Sequence, residues 1–334
     1  MCNVQLSIFN YQLTKLNLQL LHMIVHRDIN NLPPFNNAVI TIGTFDGVHT
    51  GHLQIIKQLK EEAEEINGET VIITFDPHPR MVITSGKSEI KLLNTLAEKI
   101  ELLEKIGIDH LVVVPFTKEF SEQSAEEYIK DFLVKNFHPH TVIIGYDHHF
   151  GNQRKGNYKL LEEYGPQYNF QVKEIPEHVL NQVSISSTKI RKALLNCDID
   201  TANKCLGFDY FFEGKVVEGN KIGRTIGYPT ANLELSDKNK LVPGNGIYAV
   251  QLKIDNEQLT MNGMMSIGIR PTIGESKRTI EVNIFDFDKD IYGKTIRVYL
   301  KKYLREEKKF SGLGELKKAI DKDKANALKC LSEM

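Results

Sequence analysis

The sequence predicts an α/β protein of two domains, a parallel sheet flanked by helices and then a small antiparallel β-barrel with a helix at its C-terminal end. Three observations carry that expectation. The chain has 334 residues, and at roughly 100–200 residues per domain two domains are the default. Up to about residue 205, short β-rich apolar runs alternate with amphipathic helical stretches, the pattern of a sheet covered on both faces. Beyond Leu206, Gly and Pro punctuate closely spaced β runs, the pattern of a small barrel. The expected organisation is an extension over 1–22, a first domain over 23–205 and a second over 206–334.

The elements follow in order. Residues 1–22 alternate apolar and polar side chains without a basic start or a small-residue cleavage site, so they read as a disordered or added extension before Met23. Ala38–Phe45 is a strand that stops at the turn pair Asp46-Gly47. A helix from about Gly51 to Ile66 places Ile56, Leu59, Ala63 and Ile66 on one face, and Asn67-Gly68 ends it. The unit then repeats. Strands are expected at Thr70–Phe75, His110–Pro115, Thr141–Gly145 and Phe170–Ile175, with helices at Leu96–Ile106, Ala125–Asn136, Asn157–Tyr164, Thr188–Leu195 and Ile199–Leu206. Barrel strands are expected at Phe211–Val217, Gly246–Ile254, Gln258–Ile267, Thr279–Phe285 and Thr295–Tyr303, with a last helix at Leu313–Leu331.

Bulk composition narrows the function. Lys and Arg number 42 against 43 Asp and Glu, a formal net charge of −1, which argues against a broad basic surface for nucleic acid. A small anionic ligand needs only a local cluster of donors. No apolar run approaches the roughly 20 residues of a membrane span. The cysteines Cys2, Cys197, Cys205 and Cys330 form no C-x-x-C pair. They fit a reducing cytoplasm, with Cys197 and Cys205 expected as buried thiols of a helical stretch.

Ligands of such a parallel sheet bind at the carboxyl ends of its strands. Unusual residues cluster there, after Phe45, after Phe75 and after Gly145. His49-Thr50-Gly51-His52 follows a strand and opens a helix, where unpaired N–H groups and a partial positive charge favour a phosphate. Gly47 and Gly51 allow close backbone approach. Two histidines three apart can donate hydrogen bonds to charge developing on that phosphate. A zinc site is the rival reading, although no carboxylate or Cys stands at a recognisable ligand spacing. In ISSTKIR, residues 185–191, Ser186, Ser187 and Thr188 supply a helix start and Lys189 and Arg191 supply charge. An ordinary N-cap with surface basic residues has the same pattern.

In the second domain, GKVVEGNKIGRTIGYPTANL (214–233) carries four glycines on a β-rich background. The stretch from Gly219 through Gly223 to Arg224 can wrap a phosphate chain with backbone amides. Thr230 and Asn232, two apart on an extended segment, point the same way and offer oxygen ligands suited to magnesium. Glu281 alternates with Ile280, Val282 and Ile284, so it faces away from the apolar side. Glycine punctuation and a solvated strand face remain alternatives on these residues alone.

TIGTFDGVHTGHLQII resembles the signature of the HxGH nucleotidyltransferases in the version carried by bacterial FAD synthetases. Phe75–Pro79 (FDPHP), Ile144–Gly156 (IGYDHHFGNQRKG) and ISSTKIR are similar to further segments of that family. Lys189 stands where the family pattern has Arg, and His148 where an aromatic is common. The 214–233 stretch, Pro243–Val250, Ser266–Thr272, Glu281–Tyr292 and the trailing LREEKKFSGLGELKKAIDKD resemble riboflavin kinase, in order. The match runs from about Met23 to Lys324.

The resemblance implies a Rossmann-like FMN adenylyltransferase domain joined to a riboflavin kinase barrel, making FMN and then FAD from riboflavin and ATP. It implies that Gly43, Phe45, Asp46, Gly51, Ser187 and Thr188 meet nucleotide. Asp76, His78, Pro79, Asp147, Phe150 and Arg154 would meet flavin, and His49, His52 and Arg191 would stabilise the reacting phosphate. In the barrel it implies ATP at Gly219, Gly223 and Arg224, Mg²⁺ at Thr230 and Asn232, and a base at Glu281. Three alternatives stand beside it: a transferase for another phospho-substrate, a single-activity adenylyltransferase with a flavin-binding regulatory barrel, and a non-enzymatic flavin sensor. Partners other than these small molecules, nucleic acid and membrane included, are not expected, and oligomeric state is not legible.

Overall fold

The computed structural model describes residues 22–84, 90–175, 185–219, 222–255, 257–271 and 276–333. The expected extension lies outside them except for His22. The chain divides into two compact units, 1–90 with 96–184, and 91–95 with 185–334.

The first unit is a six-stranded parallel sheet: β1 (Ile24–His26), β2 (Val39–Ile42), β3 (Thr70–Asp76), β4 (His110–Pro115), β5 (Thr141–Gly145) and β6 (Gln171–Ile175), in the order β1-β4-β3-β2-β5-β6. Alternation along the strands buries both faces. Ile40, Ile73, Val112 and Ile144 pack with the helical stretch 125–137 on one side. Val39, Ile72, Leu111 and Ile143 pack on the other with Ile56, Leu59 and Ala63 of α1 (Thr50–Ile66) and Leu103 of α2 (Leu96–Ile106). The face read for α1 is thus its buried face. From β2 the chain moves to β3 and β4 on one side, then crosses to β5 on the other. The crevice outside the carboxyl ends of β2 and β5 is therefore the switch point where such sheets hold ligands.

Some details differ from the sequence expectation. β1 was not foreseen; three residues are too few for a periodic signal, yet Met23 beside it is buried and β1 pairs with β4. β2 ends at Ile42 rather than Phe45, because Phe45 takes a positive φ of 45° that no strand allows. The stretch 125–137 is helical as expected, but its centre, Tyr128–Val134, is a π-helix. The wider turn accommodates Tyr128 and Phe132, whose rings pack 4.9 Å apart. Two more helices were foreseen in place, Tyr158–Tyr168 and, in the second unit, α3 (Ser187–Leu195).

The second unit is a closed antiparallel barrel: β7 (Phe211–Val217), β8 (Ala231–Leu235), β9 (Gly246–Ile254), β10 (Met261–Pro271), β11 (Ser276–Ile284) and β12 (Thr295–Arg305), in the order β10-β11-β8-β7-β12-β9. β8, for which the sequence predicts only an extended segment, is the strand that links β7 to β11. Ile190 and Leu194 of α3 and Ile199 and Leu206 of α4 (Ile199–Leu206) share the barrel's core cluster. The segment 91–95 joins the same unit: Leu93 is in that cluster, and buried Lys240 donates to its carbonyl at 2.6 Å. Ala327 and Leu331 of α5 (Leu313–Ser332) pack outside the barrel on Ala249, Met264 and Phe285. Cys205 is buried, as expected for a helical thiol. Cys197 instead sits half-buried in the turn between α3 and α4, at φ 62°.

Candidate active sites

Between β2 and α1 the chain makes a tight turn in which Phe45, Gly47 and Val48 all have positive φ (45°, 97° and 40°). Such backbone is costly for Phe and more so for β-branched Val. Burial holds it in place: Phe45 and Val48 are each 2% exposed and belong to the core, and Val48 N–H donates to the Phe45 carbonyl at 3.2 Å. The turn delivers His49 to the N-cap of α1, where its Nδ1 accepts from the His52 N–H at 3.3 Å. The two imidazoles stack, centroids 3.7 Å apart and 13° from parallel, and the Phe45 ring packs on His52 at 5.0 Å.

Electrostatics give the His52 ring a defined state. Burial, then His49 and then Lys99 hold His52 well below the ordinary imidazole range. It is therefore neutral at neutral pH, with one ring nitrogen a donor and the other an acceptor. Its Nδ1 is buried without a hydrogen-bond partner among the described residues, the kind of orphan that a ligand satisfies. Lys99 and Asp46 are buried nearby in the same unit. Burial lowers the Lys99 ammonium to about 8, against the opposing pull of Asp46 and Asp76. Sequence reading missed Lys99. Its only signal was a lysine on an otherwise apolar helix face, next to Leu103.

The other predicted residues fall in three places. At the end of β3, Asp76 is exposed; His78 caps the short helix Pro79–Ile83, its Nδ1 accepting from Arg80 N–H at 3.1 Å. After β5, Phe150 stacks on Tyr128 at 4.8 Å and its backbone pairs with Gly156. A Cβ on Gly156 would lie 2.4 Å from the Phe150 ring, so only glycine fits. Asp147 and Arg154 are exposed on this loop. His148 keeps a buried Nε2 without a hydrogen-bond partner among the described residues, and burial lowers its pKa to about 4. Ser187, Thr188 and Arg191 lie on α3 in the second unit. Ser186 caps that helix, accepting from Lys189 N–H at 3.2 Å, and Arg191 Nε donates to the Lys91 carbonyl at 2.8 Å.

In the barrel, strand register builds the site. Asn232 sits opposite Glu281 across β8 and β11, and opposite Val217 across β7 and β8. Thr230, two residues earlier, donates through Oγ1 to Glu281 Oε2 at 3.3 Å. Ile280, Val282 and Ile284 are buried while Glu281 is half-buried, as the alternation implied. Gly219 approaches so closely that a Cβ there would fall 2.0 Å from Asn232 Nδ2. Past Gly219, Ile222–Thr225 makes one helical turn; Asn220 and Lys221 lie outside the described residues. Gly223 packs on the Tyr228 carbonyl, where a Cβ would be 2.1 Å away, and Arg224 is exposed. Two residues that sequence reading missed hold the PTAN segment. Asn283 Nδ2 donates to the Pro229 carbonyl at 2.7 Å, and Tyr228 OH donates to Asp321 of α5. Asn283 had a signal, its polar place two residues beyond Glu281.

The hydroxyl of Thr230 and the amide oxygen of Asn232 are hard-oxygen donors suited to Mg²⁺, with the Glu281 carboxylate beside them. Among the described residues no cluster of three or more His, Cys, Asp or Glu could hold a metal. Two neutral oxygen donors suit a magnesium ion shared with nucleotide phosphates better than an all-protein cage.

Comparison with known proteins follows this division. A family model described as FAD synthetase matches residues 33–189, and one described as riboflavin kinase matches residues 206–331. A bifunctional riboflavin kinase/FMN adenylyltransferase of Buchnera aphidicola (subsp. Schizaphis graminum) is 41% identical over 303 residues, 89% of this chain and 95% of its own. The protein of that name in Escherichia coli K12 is 36% identical over 303 residues, 90% of this chain and 96% of its own. A crystal structure titled a macrolide-efflux protein from Streptococcus pneumoniae matches with a TM-score of 0.80 and 29% identity, over 91% of this chain and 98% of that one. That title names transport, whereas both family models name flavin enzymes. Among the described residues no helix is long and apolar enough to cross a membrane.

Proposed function

Because the chain belongs to the bifunctional riboflavin kinase/FMN adenylyltransferase family, we propose that it phosphorylates riboflavin in the barrel and adenylylates the resulting FMN at the His49–His52 site. The observation that carries the kinase half is the convergence of Thr230, Asn232 and Glu281 under Gly219. The ribityl 5′-hydroxyl oxygen attacks the γ-phosphorus of ATP, the bond to the β-phosphate oxygen breaks, and ADP leaves. Glu281 accepts the hydroxyl proton, and its hydrogen bond from Thr230 orients the carboxylate. Thr230 and Asn232 would hold Mg²⁺, which neutralises phosphate charge when bound. Gly219, Gly223 and Arg224 are assigned to the phosphate chain.

At the other site an FMN phosphate oxygen attacks the α-phosphorus of a second ATP and pyrophosphate leaves. The nucleophile is already an anion, so the site has to position and to stabilise charge rather than remove a proton. His49 and neutral His52 donate to the α-phosphate oxygens, and the start of α1 adds its backbone N–H groups. The resemblance of ISSTKIR to the family assigns Ser187, Thr188 and Arg191 a role in phosphate binding. Asp76, His78, Pro79, Asp147, Phe150 and Arg154 are assigned to flavin. The cytoplasm is the compartment proposed for the enzyme, since its cysteines form no C-x-x-C pair, which fits a reducing environment.

The test is incubation of the purified protein with riboflavin, ATP and Mg²⁺, with products resolved over time. FMN followed by FAD is expected. FMN alone would overturn the transferase half; no conversion would overturn the kinase half, and a failure to make FAD from FMN supplied directly would then overturn the transferase half as well.

A further inference from the structure

Resting on the adenylyl-transfer reading, we propose that Lys99 is a positioning residue of that site: acting through Thr74 and Thr44, its ammonium ties the turn that carries Asp46 and His49 to the end of β3 and balances the acidic side chains there. The geometry is a continuous chain. Lys99 Nζ donates to Thr74 Oγ1 at 3.1 Å. Thr74 Oγ1 donates to the Thr44 carbonyl at 3.2 Å. Gly43 N–H, at the start of the same turn, donates to the Ile73 carbonyl at 3.0 Å. Lys99 is 6% exposed and Thr74 is fully buried.

A buried ammonium is expensive, and an apolar residue of similar volume would commonly serve stability as well or better. Cost without a stability return, beside a ligand site, is the mark of a functional group. The charged and titratable groups that face Lys99 come from three elements: Asp46 from the turn after β2, Asp76 from β3 and His52 from α1. Its chain neighbour Glu98 is buried as well. Both substrates of this site are phosphate anions. With Lys99 charged, Asp46 and Asp76 are compensated and His52 is kept neutral as a hydrogen-bond donor. With Lys99 neutral, the two carboxylates repel the incoming phosphates. Burial sets the Lys99 ammonium at about 8 in the free protein, so it is charged at pH 7 and discharges just above the physiological range. Bound phosphate favours the ammonium and raises that value. The alkaline fall should therefore appear in kcat/KM, which reports the free enzyme, at lower pH than in kcat.

The experiment measures FAD formation from FMN and ATP between pH 6 and 10 for the intact wild-type chain, Lys99→Met and Lys99→Arg. Wild-type kcat/KM should fall about tenfold per pH unit above about 8. Lys99→Met should lose about 100-fold at pH 7 and show no such fall. Lys99→Arg should recover part of the activity and hold it to pH 10, because a guanidinium stays charged. A wild-type profile flat through pH 9, or a Lys99→Met profile that keeps the alkaline fall, would overturn the proposal. If Lys99→Met does not fold, the wild-type and Lys99→Arg profiles decide. Riboflavin phosphorylation by the same preparations measures the folded chain independently. A wild-type protein that makes FMN but no FAD would overturn the transferase reading itself, a different failure from an unmoved pH profile.

Discussion

The two sites place their key groups by opposite means. In the first unit the groups are buried: His49, Asp46 and Lys99 are each less than 7% exposed, on or beside a turn whose positive-φ residues Phe45 and Val48 are held by core packing. In the barrel, Glu281 is half-buried on a regular strand, and its partners arrive through register, Asn232 opposite and Thr230 two residues away. Burial amplifies charge interactions and shifts pKa values, so the histidine site is tuned by its surroundings. Register fixes distances with little desolvation, so the barrel site depends on backbone pairing and on glycines that let strands and loops approach.

The largest test of this comparison is reciprocal. His49→Ala should reduce FAD formation from FMN by at least about 1000-fold while leaving riboflavin phosphorylation near wild type. Glu281→Gln should reduce riboflavin phosphorylation by about 100- to 10,000-fold while FMN supplied directly still becomes FAD. Chromatographic assay of both products in each variant checks this, and parallel loss of both activities in either folded variant would sink the division of labour.

A second, smaller effect tests register. Gly219→Ala places a methyl against Asn232 Nδ2, 2.0 Å from where its Cβ would sit. Kinase activity should fall about tenfold or more through a raised KM for ATP, with FAD formation from FMN untouched. An unchanged KM for ATP would mean that Asn232 is not placed by this contact.

The smallest effect concerns burial and pH. The folded-state pKa of His148, about 4, lies below the ordinary value of 6.5. As pH falls through that interval the unfolded chain takes up a proton that the folded one refuses, so ν for the unfolded state exceeds that of the native state and stability drops. His148→Phe removes the titration and the unpartnered Nε2. The variant should lose less stability than wild type between pH 7 and pH 5, as read by urea unfolding. Equal losses would show that the imidazole does not titrate as a sealed group.

Much of the first unit was legible because its signals are local. TVIIG and HLVVVP are apolar runs of strand length, and Thr141–Gly145 and His110–Pro115 are strands with those bounds. Leu96–Ile106 likewise declares its helix through repeats of three and four. β1 and β8 were not declared, since Ile24–His26 is too short and Ala231–Leu235 follows a loop rich in Gly and Pro. The π turn in 125–137 was illegible because i, i+4 apolar spacing is common to both helix types at that length.

By itself, the order of residues determined the alternating sheet unit, the barrel after it, and the candidate groups His49, His52, Thr230 and Asn232, because periodicity and motif spacing are properties of short stretches of chain; Glu281 was singled out by the resemblance to riboflavin kinase. Only the tertiary structure decided the burial that keeps His52 neutral, the hydrogen bond of Lys99 to Thr74, the close approach of Gly219 to Asn232, and the contacts of Asn283 and Tyr228 beside Pro229–Asn232. Those depend on desolvation and on contacts between residues far apart in the chain, and neither exists until the strands have paired and the core has closed.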